Sequence, residues 1–254
     1  MKLDLNLNGK NVLVTGGSRG IGKGVAEKFM EEGANVTVIG RTSSSLEAIK
    51  NERKDVKTIQ ANLIDLQERE RAFQRFLEEN SYIDILINNV GGSNGSTIED
   101  TTMSEFEEAM QLNYYSAVHF SKLALPLMKK RQHGSIVNIS SIYGRESGGK
   151  ATYNNSKAAM ISFTKALADE AMPYGVRVNS VAPGAILHPD GNWQKRLDAE
   201  PERINAFVKR EIPGGRFGTI EEVANVVVFL SSDKAYWVSG ASLNVDGGQS
   251  KMNM

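Results

Sequence analysis

Two hydrophobic periods alternate along the chain. Val12-Leu13-Val14 is a short apolar run, and Ile21, Val25 and Phe29 then recur at helical spacing until Gly33 ends the helix. Val36–Ile39 reads as a second strand, followed by a serine-capped helix near Ser44–Arg53 and a strand at Val56–Ala61. Asp65-Leu66-Gln67-Glu68 has the form of a capping box, opening a helix with Phe73, Phe76 and Leu77 on its inner side. Ile83–Ile87 is the next strand. A second capping box, Thr102-Met103-Ser104-Glu105, starts a long helix to about Arg131, with Pro126 expected to bend it or end its regular part. Ile136–Ile139, Thr152–Met172 and Val176–Val181 continue as strand, helix and strand. Residues 184–215 break the rhythm, with three of the six prolines, Trp193 and a short helix around Glu202–Arg210. A third capping box, Thr219-Ile220-Glu221-Glu222, begins the last helix, and Leu243-Asn244-Val245 is the last strand.

Strands alternating with helices in this way predict βαβ units and a parallel sheet covered on both faces. The pattern therefore predicts an α/β, doubly wound (Rossmann-type) seven-stranded parallel sheet with helices on both faces. One domain over residues 1–254 is expected, with a mobile substrate lid at about 187–212, where the βα rhythm fails. Ligands of such sheets bind beyond the carboxyl ends of the strands.

Composition narrows the function. Thirty basic residues balance thirty acidic ones, so no net field recruits nucleic acid or anionic lipid. The chain has no cysteine, which excludes disulfides, thiolate metal sites and a thiol nucleophile. His119, His133 and His188 lack metal-ligand spacing and read as surface or packing residues, so no metal is expected. Met1-Lys2-Leu3-Asp4-Leu5-Asn6 holds no apolar core of signal-peptide length, and no run approaches the ~18 apolar residues of a membrane span. A cytoplasmic protein is the expectation.

Glycine is in excess, with 24 in 254 residues, and several stand at one strand end. In Thr15-Gly16-Gly17-Ser18-Arg19-Gly20-Ile21-Gly22 the chain must turn tightly and let a pyrophosphate approach the backbone. The following helix N-terminus offers free N–H groups to phosphate. Gly17–Lys23 also meets the first seven positions of a nucleoside-triphosphate loop, but the eighth, which must be Ser or Thr, is Gly24. At the second strand end, where an acid would bind the ribose 2′-hydroxyl of NAD, stand Ile39-Gly40-Arg41-Thr42. Arg41 and Arg19 instead suit a 2′-phosphate, and hence NADP(H).

Tyr153 and Lys157 lie four residues apart on one face of a predicted helix. A tyrosine with its ordinary pKa near 10 is a poor base at neutral pH, and a neighbouring ammonium would lower it. Ser140 and Ser141 close the fifth strand, where a hydroxyl can face the crevice. Asn113 sits mid-helix, and by pattern alone it is a solvent-facing residue.

Together these residues resemble the short-chain dehydrogenase/reductase family over nearly the whole chain. The resemblance rests on the T-G-x-x-x-G-I-G turn of Thr15–Gly22, Asn88-Asn89-Val90-Gly91, Asn113, the strand-end serine and Tyr153/Lys157. Pro183-Gly184, Pro213-Gly214-Gly215-Arg216-Phe217-Gly218 and Val245-Asp246-Gly247-Gly248 complete it. It implies a catalytic set of Asn113, Ser141, Tyr153 and Lys157. Tyr153 would be the general acid in carbonyl reduction, Lys157 would lower its pKa and hold the nicotinamide ribose, and Asn113 would hold a water in the proton relay. Cofactor contacts are implied at Gly16, Ser18, Arg19, Gly20, Ile21, Gly22, Arg41, Asn62, Leu63, Asn89, Tyr153, Lys157, Pro183, Gly184 and Ile186.

Four positions depart from the family pattern. Ser141 stands twelve residues before Tyr153 and Ser140 thirteen, the family's usual spacing. A one-residue deletion in the loop keeps Ser141, the second serine, as the catalyst. Asn62 replaces a frequent aspartate at the adenine, Val90 the usual alanine, and His188 a frequent threonine at the carboxamide. The resemblance is strongest to β-ketoacyl-carrier-protein reductases and implies NADPH-dependent reduction of a ketone or aldehyde. Oxidation of a sugar or secondary alcohol, and a regulatory module that binds cofactor without turnover, are the alternatives. The expected partner is a small-molecule carbonyl or alcohol, with no nucleic acid or membrane. A homotetramer is implied, pairing the helices around 104–131 and 152–172. His188, Trp193 and Phe207 either line a substrate pocket or pack a small core.

Overall fold

The computed structural model describes residues 4–189 and 191–253. Met1–Leu3 of the opening segment and residue 190 of the expected lid lie outside the described residues. The strands are β1 (Asn11–Thr15), β2 (Asn35–Gly40), β3 (Lys57–Gln60), β4 (Ile85–Asn88), β5 (Gly134–Ile139), β6 (Val176–Pro183) and β7 (Ser242–Val245). The helices are α1 (Gly20–Glu31), α2 (Ser43–Glu52), α3 (Leu66–Asn80), α4 (Met103–Met110), α5 (Ser116–Arg131), α6 (Ala151–Ala171), α7 (Asn192–Ala199), α8 (Pro201–Glu211) and α9 (Ile220–Ser231). All seven strands form one parallel sheet in the order β3-β2-β1-β4-β5-β6-β7. The order reverses between β1 and β4, the switch point where such sheets open a ligand crevice.

The apolar runs follow from this layering. Along β1, Val12 and Val14 enter one core with Val25 and Phe29 of α1, Leu46 and Ile49 of α2, and Val223 and Val227 of α9. Leu13 points the other way, into a core with Phe73 and Phe76 of α3, Phe120 and Met128 of α5, and Leu167 of α6. A strand buried on both faces has no polar side, so its alternation disappears into a continuous apolar run. Gly24 has its own cause: a Cβ there would lie 2.0 Å from Ile220 Cγ2, so α9 can pack on α1 only because residue 24 carries none.

Several local expectations are corrected. α2 begins at Ser43 behind Thr42, which makes no side-chain capping bond, so the helix is not serine-capped. Asp65 caps α3 through the Glu68 amide, but Glu68 reaches the backbone N–H of Asn62, so the box is half formed. The boxes at Thr102 and Thr219 form in full. Pro126 does not end its helix, because α5 continues to Arg131. The irregularity falls earlier, at a π-helical turn Gln111–Tyr115 joining α4 to α5. Between residues 187 and 212 two helices stand where one was expected. α7 is short, and Trp193 and Leu197 alone give it an apolar spacing.

Candidate active site

The glycine-rich turn is built from the sheet outward. Gly16 has φ +65, and a Cβ on it would lie 3.0 Å from Val90 Cα, so the loop after β4 can close against the turn only over glycine. Asn89 fixes that closure, donating both amide hydrogens at 3.0 Å, to the carbonyls of Thr15 and Gly16. The Thr15 hydroxyl accepts from the amides of Asn89 and Val90. Asn89 thus holds the turn's shape with the donors that a ligand would otherwise take.

The first turn of α1 is left open. Its N-cap, Arg19, makes no side-chain capping bond, and the turn has no acid, whereas α3, α4 and α9 are each capped by a side chain. The uncapped N–H groups and the positive end of the helix dipole together suit an anion. Ser18, Arg19, Gly20, Thr42, Ser44 and Ser45 line part of a cleft of about 800 Å³ that also reaches His188. Arg41 is exposed just before Thr42 at the end of β2, outside the cleft walls. Gly22 is buried behind the turn and Ile21 half-buried. The His188 ring packs over Gly20, 3.2 Å from where a Cβ would stand, which makes it a wall of this cleft and not a free surface residue.

The other positions expected to meet the cofactor are less even. Asn62 is exposed, while Leu63 is buried in the sheet core. Pro183 ends β6, and Gly184 is held by its amide on Val245 and by close packing against Asp246 and Gln249. Ile186 is buried and bridges to Gly218.

The candidate catalytic side chains converge at the ends of β4 and β5. Ser140 is buried with its hydroxyl donated to the Val181 carbonyl at 2.9 Å, so it is committed to the sheet. Ser141 turns the other way. Its hydroxyl accepts the Tyr143 amide at 3.2 Å and caps the short turn Ile142–Gly144, and it stands near enough to the Tyr153 phenol to oppose the rise of its pKa. That turn lies directly on α6: a Cβ at Gly144 would come 2.8 Å from the backbone of Lys157. Strand end, turn and helix thereby lock Ser141 opposite Tyr153.

Lys157 is buried, donates to the Ile139 carbonyl at 2.8 Å, and has its nitrogen 5.5 Å from the Tyr153 ring centroid. Burial lowers its pKa from 10.5 to about 8. The expected lowering of the tyrosine is not found in the unliganded protein. Burial raises Tyr153 above its ordinary 10, with Ser141 opposing the rise and Tyr143 adding to it. A phenol held above 10 is fully protonated at neutral pH, and so is poised to donate.

Asn113 is wholly buried, against the solvent-facing expectation. Its Nδ2 donates to the carbonyls of Gly92 and Ala109, both at 2.9 Å, and its Oδ1 accepts the Gly92 amide at 2.9 Å. Both amide hydrogens are spent on backbone, which leaves one lone pair of Oδ1 for water. A Cβ on Gly91 would lie 2.6 Å from that Oδ1 and 3.3 Å from Lys157 Nζ, so Asn113 and Lys157 meet across this glycine.

Sequence reasoning missed the support behind these residues. Asn88 donates to Asn138 and Ser121, and Asn138 to Thr164, a buried polar chain through β4, β5 and α6. Tyr143 was missed as well, although its place two residues after Ser141 at a strand end was a usable signal. Trp193 and Phe207 stack at 4.8 Å and, with Phe217, pack against Ala185, Val208 and Ile212. They form a small core under α7 and α8. No group of three or more His, Asp or Glu side chains that could hold a metal occurs among the described residues, nor does a helix long and apolar enough to cross a membrane.

Comparison with known proteins places this geometry. A family model described as enoyl-(acyl carrier protein) reductase matches residues 16–250. The chain is similar to 3-oxoacyl-(acyl-carrier-protein) reductase of Aquifex aeolicus, 36% identical over 252 residues, covering 97% of this chain and 99% of that protein. The Escherichia coli protein of the same name is 34% identical over 246 residues, covering 96% and 98%. Among solved structures, L-sorbose reductase from Gluconobacter frateurii, complexed with NADPH and L-sorbose, superposes with a TM-score of 0.92 at 28% identity, covering 98% of this chain and 100% of that one.

Proposed function

The chain belongs to the short-chain dehydrogenase/reductase family, and we propose that it is an NADPH-dependent reductase of a ketone or aldehyde, with Tyr153 as the proton donor. The observation that carries it is the convergence of half-buried Tyr153 with buried Ser141 and buried Lys157, whose nitrogen lies 5.5 Å from the Tyr153 ring centroid. Two hydroxyl donors at one place suit a single oxygen on which negative charge develops. Ser141 orients the carbonyl oxygen and Tyr153 delivers its proton. Ser140, with its hydroxyl spent on Val181, has none to offer.

Lys157 keeps a positive charge beside the phenol at neutral pH, which stabilises the phenolate left after proton transfer. It and Tyr153 are also the side chains that would hold the ribose of the nicotinamide half. The uncapped first turn of α1, with Gly16, Ser18, Gly20, Ile21 and Gly22, fits the pyrophosphate. Arg19 and Arg41 would hold the 2′-phosphate, with Asn62 and Leu63 at the adenine and Pro183, Gly184 and Ile186 at the nicotinamide. Asn89 acts by holding the turn. When bound, NADPH supplies the hydride that no side chain here can provide. Because the Asn113 amide hydrogens are occupied, its part in a relay is as an acceptor, through the remaining lone pair of Oδ1 or its backbone carbonyl.

The reading takes residues 1–254 as one domain, with α7 and α8 as a substrate lid, in a cytoplasmic homotetramer. The relatives named above are a 3-oxoacyl-(acyl-carrier-protein) reductase and an L-sorbose reductase, and acyl thioesters and sugars therefore both belong in the test. Purified protein is offered NADPH with acyl thioesters, sugars and steroid ketones, and nucleotide oxidation is followed. Turnover of at least one ketone supports the reading. Tight NADPH binding with no turnover across the panel would instead favour the regulatory module.

A further inference from the structure

Arg69, in the first turn of α3, is 2% exposed, and no carboxylate forms an ion pair with it among the described residues. Its guanidinium bonds only neutral acceptors. Nε donates to the Asp65 carbonyl at 3.3 Å, Nη1 to the Tyr115 carbonyl at 2.9 Å, and Nη2 to the Ile64 carbonyl at 2.9 Å and Gln111 Oε1 at 3.0 Å. Burying a cation is costly, and the nearby Asp65 carboxylate, although its charge favours the guanidinium, makes no hydrogen bond with it. The compensation is the fork's fixed geometry, which lysine lacks.

The groups in that fork are specific. Gln111 and Tyr115 are the first and last residues of the π-helical turn, closed by the Ser116 amide on the Gln111 carbonyl. Asn113 is its middle residue. A π turn holds one residue more than the α-helix on either side, and it is rare outside such single-turn bulges. Reversion to α-helical register would rotate the side chains of one flank by about 100°. Asn113 could not then keep three 2.9 Å bonds to Gly92 and Ala109.

We infer that Arg69 is a positioning residue for the candidate site: its guanidinium clamps both ends of the 111–115 turn and so seats Asn113 on Gly92 beside Lys157. The kinetic consequence rests on the reading of Asn113 as part of the catalytic set, and the structural consequence does not. The hydrogen bonds of the Arg69 guanidinium go to Asp65, Tyr115, Ile64 and Gln111 and none to Gly92 or Asn113, so its effect on Asn113 is indirect.

The test compares Arg69→Lys, Gln111→Ala, Asn113→Ala and the Arg69→Lys/Asn113→Ala pair as full-length proteins, with thermal midpoints measured alongside. Gln111→Ala removes one prong of the clamp without touching the buried cation, and carries the test if Arg69→Lys fails to fold. Hydrogen exchange of the peptide containing Gly92 is expected to accelerate about tenfold or more in both clamp variants, while the sheet stays protected. The kcat should fall about fivefold or more with KM for NADPH within about twofold, and Arg69→Lys should add almost nothing in the Asn113→Ala background. Wild-type protection at Gly92 in the folded clamp variants, or losses that multiply in the pair, would overturn the inference. If protection at Gly92 falls while Asn113→Ala turns over normally, the clamp stands and the catalytic reading of Asn113 fails.

Discussion

The two ends of the candidate site are built on opposite principles. At the proton-transfer end Ser141 and Lys157 are buried and Tyr153 half-buried, and each is fixed by a named neighbour. At the nucleotide end Arg19, Arg41 and Asn62 stand exposed. The first end is preorganised, since its geometry and its shifted protonation equilibria exist before any ligand arrives. The second is open to solvent, and on the proposed reading its exposed arginines would be completed by the ligand's charges. That reading sets the chemistry by burial and the cofactor choice by surface charge.

If that contrast holds, the largest effect comes from the buried end. Tyr153→Phe removes the proton donor and should lower kcat by about 10² to 10⁴-fold, while the NADPH dissociation constant stays within about twofold by fluorescence titration. Retention of a tenth of the wild-type rate would break the assignment.

At the exposed end the effect is smaller and confined to binding. Arg19→Ala and Arg41→Ala should each weaken NADPH by about 10-fold or more, from charge-assisted bonds of ~1.5–3 kcal/mol each, and leave NADH binding unchanged. Equal losses for the two nucleotides, read by titration, would remove the 2′-phosphate from the account.

The third prediction sets activity against stability at one residue. Because burial holds Lys157 near 8 in the fold against 10.5 ordinarily, the unfolded chain binds its proton more tightly. The folded state carries that penalty in full below pH 8, on the order of 3 kcal/mol. Stability therefore rises with pH between about 8 and 10.5 as far as this group is concerned. Lys157→Met should abolish turnover and raise the neutral-pH melting temperature, with the rise shrinking toward pH 10. A variant that melts lower at neutral pH contradicts the cited cause.

The smallest effect is a pH limb. The kcat/KM for NADPH, which reports the free enzyme, should decline above about pH 8 as Lys157 loses its proton. The limb should shift if Lys157 is re-solvated by opening the Ile142–Gly144 turn through Gly144→Ala, which would push 2.8 Å from the Lys157 backbone.

The same contrast explains what could be read in the sequence. The central strands, buried on both faces, left apolar runs, and the half-buried edge strands β3 and β7 were legible from their place in the βα alternation, as was the glycine turn from its spacing. The expectation for Arg19 and Arg41 rests on the absence of an acid at a strand end, which is visible in one dimension, and the structure adds only that both are exposed. The inner half was harder. Asn113 reads as an ordinary helix-surface residue because a π turn leaves no periodic signature, and its burial depends on Gly92, twenty-one residues away. Arg69 and the Asn88–Asn138–Thr164 chain are likewise joined only by the fold. The raised Tyr153 was beyond pattern as well, because desolvation is a property of what surrounds a residue in space. Of the two outcomes expected at Pro126, an end to the helix does not occur, because α5 has tertiary packing enough to continue past it. α7 was lost because Trp193 and Leu197 are too few to announce a helix.

The measurement closest to the central claim is single-turnover reduction of a ketone that the panel identifies, with NADPH pre-bound to wild type and to Tyr153→Phe. The account predicts rapid loss of nucleotide absorbance in the wild type, and its near absence in the variant despite full occupancy. Equal single-turnover rates in the two proteins would contradict it.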